Sequence, residues 1–361
     1  MCRANLPPGP TQLNDEASRR YFLLARRVER SSLKWDALSE EHQREMAEIL
    51  RLWSQAAEEG GLARAQHNLG VITERGEGVA ADNAAALRWY NMAAAQGDSK
   101  SMCNAGLLYY LGKGCATSYP DALELYRKAA KQGDALAQCN LGVMFAHGLG
   151  LKEPREAEAV ELFRAAAAQG LAAAQYCLGT MFDQGRGVPA NDAEAARLFC
   201  LAAEGGNAAA QFNLGLMHEH GDNEAVPGGN LVQAAKFYGL AAEQGHARAQ
   251  YQLGVLFEYG GDGVARDLNA AARLFRRSAA QGHAPAQFSL AVLLCQAPLA
   301  PCRQPAGAAV AVESGAAAEP PPPESPAGRL AEAKALFEAA AAEGNDMARQ
   351  ALSHQRFVFS K

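Results

Sequence analysis

The stretch Gln175–Asn207, QYCLGTMFDQGRGVPANDAEAARLFCLAAEGGN, decides the fold, because variants of it recur along most of the 361 residues. The glycine of its Leu-Gly pair returns at Gly70, Gly106, Gly142, Gly179, Gly215 and Gly254, and Ala291 holds a seventh place. Successive steps are 36, 36, 37, 36, 39 and 37 residues. A repeat of this period marks a solenoid, whose units bury their apolar faces only by stacking on one another. Three residues before the leucine stands a glutamine: Gln66, Gln138, Gln175, Gln211, Gln250 and Gln287, with Met102 as the exception.

Each copy divides into two helical halves. The first reads A-x-x-x-L-G-x-x-aromatic, and its apolar residues fall at helical spacing, as Leu178, Met181 and Phe182 do. A glycine-rich break follows, such as Gly112/Gly114 or Gly185/Gly187, where glycine supplies turn conformations that other residues resist. The second half carries an aromatic residue (Tyr90, Tyr126, Phe163, Phe199, Tyr238, Phe275) and small pairs such as Ala129/Ala130. It closes on Gly97, Gly133, Gly170, Gly206, Gly245 and Gly282, where a left-handed C-terminus favours glycine.

These motifs, A-x-x-x-L-G, the G-x-G break often followed by valine (Val79, Val188), and A-A-x-x-G, resemble the Sel1-like repeat family, relatives of the tetratricopeptide repeats. The resemblance covers roughly residues 48 to 350 and implies an all-α fold. That fold is an α/α superhelical solenoid of about seven helix-pair repeats with capping helices. It also implies a concave surface used mostly for protein–protein interaction.

Composition narrows the function. Lys+Arg is 34 and Asp+Glu 39, a net charge of −5, so nucleic acid, which calls for a basic patch or stripe, is not expected. No apolar run spans a bilayer. MCRANLPPGP lacks the apolar core of a secretory signal, and cytoplasmic localisation is expected. Arg19, Arg20, Arg26, Arg27 and Arg30 leave an organelle-targeting helix as the alternative to a capping helix. Secreted Sel1-like proteins resembling the cysteine-rich Helicobacter family carry a regular cysteine pair per repeat. Here Cys103 and Cys139 share one repeat position and the other cysteines do not, so reduced thiols are expected.

The domain organisation follows. Residues 1–37 form a polar, basic extension with one helix over about 14 to 31. The repeat array runs over 38–295, opening with Ser39 as an N-cap before Glu40 and Glu41. In 296–328 a Pro- and Ala-rich insertion, read as disordered, interrupts the last repeat. Its Pro320–Pro323 run suits an SH3- or WW-type groove and Ser325-Pro326 a proline-directed phosphosite, against the plainer reading of a tolerated loop. Residues 329–361 supply the last half-repeat and a cap. His218-Glu219-His220-Gly221-Asp222 offers metal-ligand types, but His218 stands where Tyr109, Phe145 and Phe182 face the core. No metal and no cofactor are expected.

The candidate partner-binding residues lie on the first helices. In the tetratricopeptide-like geometry that the resemblance implies, the two residues before the Leu-Gly leucine point into the groove. The second of them gives a ladder: Asn68, Asn104, Asn140, Cys177, Asn213, Gln252 and Ser289. Amides both donate and accept, which suits an extended peptide backbone, and an asparagine at the matching tetratricopeptide position contacts peptide ligands. The first of them is His67, Cys103, Cys139, Tyr176, Phe212, Tyr251 and Phe288. With Arg64 and Lys100 three residues earlier, the N-terminal end reads as basic and the C-terminal end as aromatic, anchors of an interface or else packing between helices.

The expected function is a non-enzymatic adaptor or scaffold binding a protein or extended peptide, with capped ends pointing to a monomer. A hydrolase acting on β-lactam or cell-wall substrates is the alternative from another class. No G-x-S-x-G, S-x-x-K, H-E-x-x-H or paired-carboxylate constellation supports it. A stress or organelle quality-control adaptor, addressed by the basic helix, is the third.

Overall fold

A computed structural model describes residues 8–31, 33–221, 228–296 and 326–355. The 297–325 stretch with its proline run, and Asp222, lie outside them. Seventeen α-helices and no strand occur among the described residues. In chain order they are α1 (Pro10–Arg30), α2 (Glu40–Glu58), α3 (Ala63–Arg75), α4 (Asn83–Ala95), α5 (Ser99–Leu111) and α6 (Tyr119–Lys131). Then come α7 (Ala135–His147), α8 (Glu156–Ala168), α9 (Ala172–Gln184), α10 (Asp192–Glu204), α11 (Ala208–His220) and α12 (Leu231–Glu243). The last are α13 (Ala247–Tyr259), α14 (Leu268–Ala279), α15 (Ala284–Gln296), α16 (Pro326–Ala342) and α17 (Asp346–Gln355). The chain divides into unit 1, residues 1–174 with 186–188, and unit 2, residues 175–185 with 189–361.

Local chemistry sets the helix ends. Asp82, Asp98, Asp134, Asn207 and Asp267 each accept a backbone N–H as N-cap, filling one of the donor groups a helix start leaves open. Ser39 does the same from His42, as its position before Glu40 and Glu41 predicts. Glycines at the break and at the close of each repeat hold positive φ, as at Gly112 (66°) and Gly133 (84°).

Packing within a repeat turns on one contact. A Cβ placed on Gly106 would lie 2.8 Å from Tyr126 Cε1, and one on Gly142 2.7 Å from Phe163 Cε1. The glycine is the floor on which the second helix lays its aromatic ring. Tyr90, Tyr126, Phe163, Phe199, Tyr238 and Phe275 are all buried.

The N-terminal helix begins at Pro10, four residues earlier than the pattern indicates, and joins the fold. Leu24, Ala17 and Leu13 pack with Ile49 and Trp53 of α2 in one cluster. Tyr21 stacks on Trp35 and donates its hydroxyl to Glu77, while Arg27 pairs with Glu45. Residues 10–30 are thus a packed capping helix on α2 and α3. At the other end the half-repeat after the insertion opens at Pro326 rather than at 329. Phe337 of α16 fills the aromatic place against Leu290 and Ala291 of α15.

Candidate functional site

The first helices of unit 1 stand side by side. His67 Nδ1 of α3 lies 2.9 Å from Ser101 Oγ of α5, and the Cys103 thiol of α5 donates to Asp134 Oδ1, the N-cap of α7, over 3.3 Å. Burial and the neighbouring Asp134 carboxylate push the Cys103 thiol pKa upward, so it stays a neutral donor. The hydrogen bonds from His67 and Ser101 hold the Asp98 carboxyl down at about 2.

The ladder residues are half-buried, and several sit beside polar groups of a neighbouring helix. Asn68 Nδ2 reaches Asn14 Oδ1 at 3.3 Å and Ser18 Oγ at 3.4 Å, so α1 occupies the first rung. The Asn104 amide lies beside the Tyr90 hydroxyl, that of Asn140 beside Tyr126 and that of Gln252 beside Tyr238, each lowering its phenol pKa against the larger upward effect of burial. Tyr90 in turn donates to Glu74 Oε2 at 2.7 Å and Tyr238 to Glu219 Oε2 at 2.5 Å. Burial and these carboxylates raise both phenol pKa values far above the usual range. The carboxylates of Glu74 and Glu219 satisfy buried hydroxyls that would be costly unpaired. The amides beside them keep hydrogen-bonding capacity, since an amide carries two donors and an acceptor. Asn213 stands 14 residues after Phe199, which has no hydroxyl, and its side chain makes no hydrogen bond among the described residues. A sequence signal for this exists: tyrosine at the aromatic place is followed 14 residues later by Asn104, Asn140 or Gln252. Phenylalanine is followed by Cys177, Asn213 or Ser289.

The aromatics do not form the open row that the interface reading describes. Phe212 is only 4% exposed. It packs on Tyr238 and stacks on His246 at 4.9 Å, with the Arg248 guanidinium 4.9 Å above its ring. Phe212 is therefore a core residue, and Arg248 is committed to it. Tyr176 packs on Phe199, and Tyr251 on Phe275 and His283, both half-buried. Each ring lies between its own repeat's second helix and, for Phe212 and Tyr251, the next N-cap. Arg64 and Lys100 remain exposed.

The glutamines three residues before the Leu-Gly leucine take a role that their spacing alone does not show. Gln66, Gln211, Gln250 and Gln287 donate to the carbonyls of Ala57, Ala203, Ala242 and Ala279 at the end of the preceding helix. Gln96, Gln169, Gln244 and Gln281 donate in turn to the side-chain oxygens of Gln66, Gln138, Gln211 and Gln250, over 2.8 to 2.9 Å. Where Met102 interrupts the first series, Gln132 takes the Gly97 carbonyl instead. The glutamines are a relay between repeats, not ligand contacts.

No group of three metal-ligating side chains occurs among the described residues. His218 stacks on Phe237 at 5.4 Å, and its buried Nδ1 has no hydrogen-bond partner. Burial lowers the pKa of His218, and burial together with Arg248 lowers those of His246 and His283. A histidine whose folded pKa lies below its unfolded value gives stability that is full above that value, 6.5, and is lost as pH falls. The thermal midpoint of unfolding should therefore drop as pH goes from about 7 to about 5. The loss should concentrate in unit 2, which holds all three. Hydrogen exchange on α11 to α15 at both pH values measures it. His246→Asn keeps a capping oxygen without titrating and should flatten part of the profile; equal protection at both pH values would remove the effect.

The Sel1 repeat matches six consecutive blocks, 63–98, 99–134, 135–171, 172–207, 208–246 and 247–283. The chain belongs to the Sel1 repeat family. Among solved structures it is similar to a Sel1 repeat protein from Oxalobacter formigenes, 28% identical with a TM-score of 0.61, over 97% of this chain and 95% of that one. It is also similar to c5321, a protective antigen present in uropathogenic Escherichia coli strains that displays an SLR fold, at 29% identity and a TM-score of 0.59. That match covers 94% of this chain and 64% of the antigen. Sel1 repeats generally bind proteins and are typically non-enzymatic. No described helix is long and apolar enough to cross a membrane.

Proposed function

We propose that this chain is a non-enzymatic adaptor that binds a partner protein, as an extended peptide or a folded edge, along the exposed face of its first helices. One observation carries the reading. On α5 and α7 of unit 1, and separately on α11 and α13 of unit 2, the same helical position is an amide that is half-buried and so still partly exposed. Polar groups presented at a regular pitch suit a ligand that is itself regular, such as a polypeptide backbone. Family membership supports the same reading, since stacked helix pairs offer extended surfaces.

Capture from source lysate tests it with two surface variants beside the intact chain. Leu107→Asp/Leu111→Asp/Tyr259→Ser alters the first helices, and Met92→Asp/Leu201→Asp/Leu240→Asp alters the second helices. All six side chains are exposed, so both variants should keep the circular dichroism of the parent. Partners lost with the first variant and kept with the second are the expected result. Loss with the second alone would move binding to the other face, and no reproducible partner for any chain would end the adaptor reading.

A further inference from the structure

We infer that unit 1 carries, on α3, α5 and α7, a docking surface for an acidic linear segment of a partner protein, with apolar side chains among its carboxylates. The inference rests on the protein-binding reading above and gives that partner a chemistry.

Charge comes first. Arg64 and Lys100 occupy the same position one repeat apart, both are exposed, and neither makes an ion pair or hydrogen bond among the described residues. Each stands in the first turn of its helix, where the macrodipole is positive and disfavours a cation. Helix stability therefore does not explain them. The equivalent cation of α13, Arg248, lies over the Phe212 ring, so the two in unit 1 are the ones left for an external anion. No described carboxylate forms an ion pair with either of them; those of the neighbouring elements keep their charge and accept from other donors. Glu74 accepts from Tyr90, Asp98 from the Ser101 N–H, and Asp134 from Ala137 and Cys103.

Apolar surface comes second. Leu107 and Leu111 continue the row that begins with Lys100 and Asn104, at successive spacings of four, three and four residues that keep one helix face. They are 40% and 46% exposed, and Leu136 takes the place of Lys100 on α7 at 48%. Between cations and leucines stand Asn104 and Asn140, beside the hydroxyls of Tyr90 and Tyr126. Each has an acceptor oxygen and N–H donors to offer a peptide backbone. Carboxylates for Arg64 and Lys100, apolar side chains for the leucines and an extended backbone for the amides describe one ligand.

The test is selection of a random dodecapeptide phage library on the full chain, repeated with Arg64→Glu/Lys100→Glu and with Leu107→Asp/Leu111→Asp. The enriched pool should be rich in Asp and Glu together with Leu, Ile or Phe. The best peptide, read by fluorescence polarisation, should bind about tenfold more weakly to the charge-reversed chain, as two attractions become two repulsions. It should also weaken with added salt. Exchanging its acidic residues for lysine should restore binding to that variant. Enriched peptides without carboxylates that still need Leu107 and Leu111 would overturn the acidic chemistry and leave the adaptor reading standing. A basic pool, equal affinity for the charge-reversed chain, or no enrichment would also overturn it. In the last case partner capture in the lysate experiment decides whether the adaptor reading falls too.

Discussion

Phe163→Ala should destabilise the repeats around α7 and α8 by about 3–5 kcal/mol, the usual cost of emptying a buried aromatic site. The ring is 2% exposed and lies on the Gly142 backbone. Little can collapse into the vacated space, because the floor beneath it is a glycine with no side chain to extend. Stability in a stacked array is a sum of units and nearest-neighbour interfaces, so the loss should appear first as local opening. Hydrogen exchange should show α7 and α8 losing protection while α3 and α4 keep theirs. Uniform loss along unit 1 would mean that it unfolds as one block.

Gly142→Val attacks the same contact from the other side. The added Cβ would lie 2.7 Å from Phe163 Cε1 and 2.9 Å from Cδ1, too close for either to stay. The helix gains some propensity over glycine, about half a kilocalorie per mole. Overpacking at a rigid ring costs about 1–3 kcal/mol, so the net effect is a loss. Ala291 shows what adjustment permits: at the same position of α15 an alanine is fully buried beside Phe337. Pairing Gly142→Val with Phe163→Leu should therefore recover part of the loss, and urea unfolding followed by circular dichroism would measure the coupling. Strict additivity of the two changes would show that ring and glycine do not share the contact.

The fold was legible because its determinants are local and repeated. Glycines at the break, alanine pairs and N-caps each act over a few residues, and several copies in register exclude coincidence. The helix at residues 10–30 was less so: its burial depends on Trp35 and Trp53, outside its own sequence. The site was legible only in part. Spacing alone does not show the tyrosine hydroxyls of the helix before that Asn104 and Asn140 lie beside. Phe212 reads equally as anchor or core until His246 and Arg248 are seen to close over it. Arg64 and Arg248 look alike in the sequence, and only the ring beneath Arg248 separates them. The first-helix glutamines were visible as a regularly spaced series along the chain, yet their partners were not: the links between glutamines join residues about 30 apart that only the pairing of a repeat's two helices brings together.

The relay also bears on how such a chain can change length over generations. Each first-helix glutamine reaches back to the last helix of the repeat before and no further, offering the same donor to the same kind of carbonyl at most of the seams. Deleting or duplicating a block of about 36 codons in frame would bring an existing donor to an existing acceptor, so the new junction would close like the old ones. Point changes at the seams would be penalised while whole-unit gains and losses would pass, making the number of units, and with it the length of surface on offer, the readily varied character of the gene.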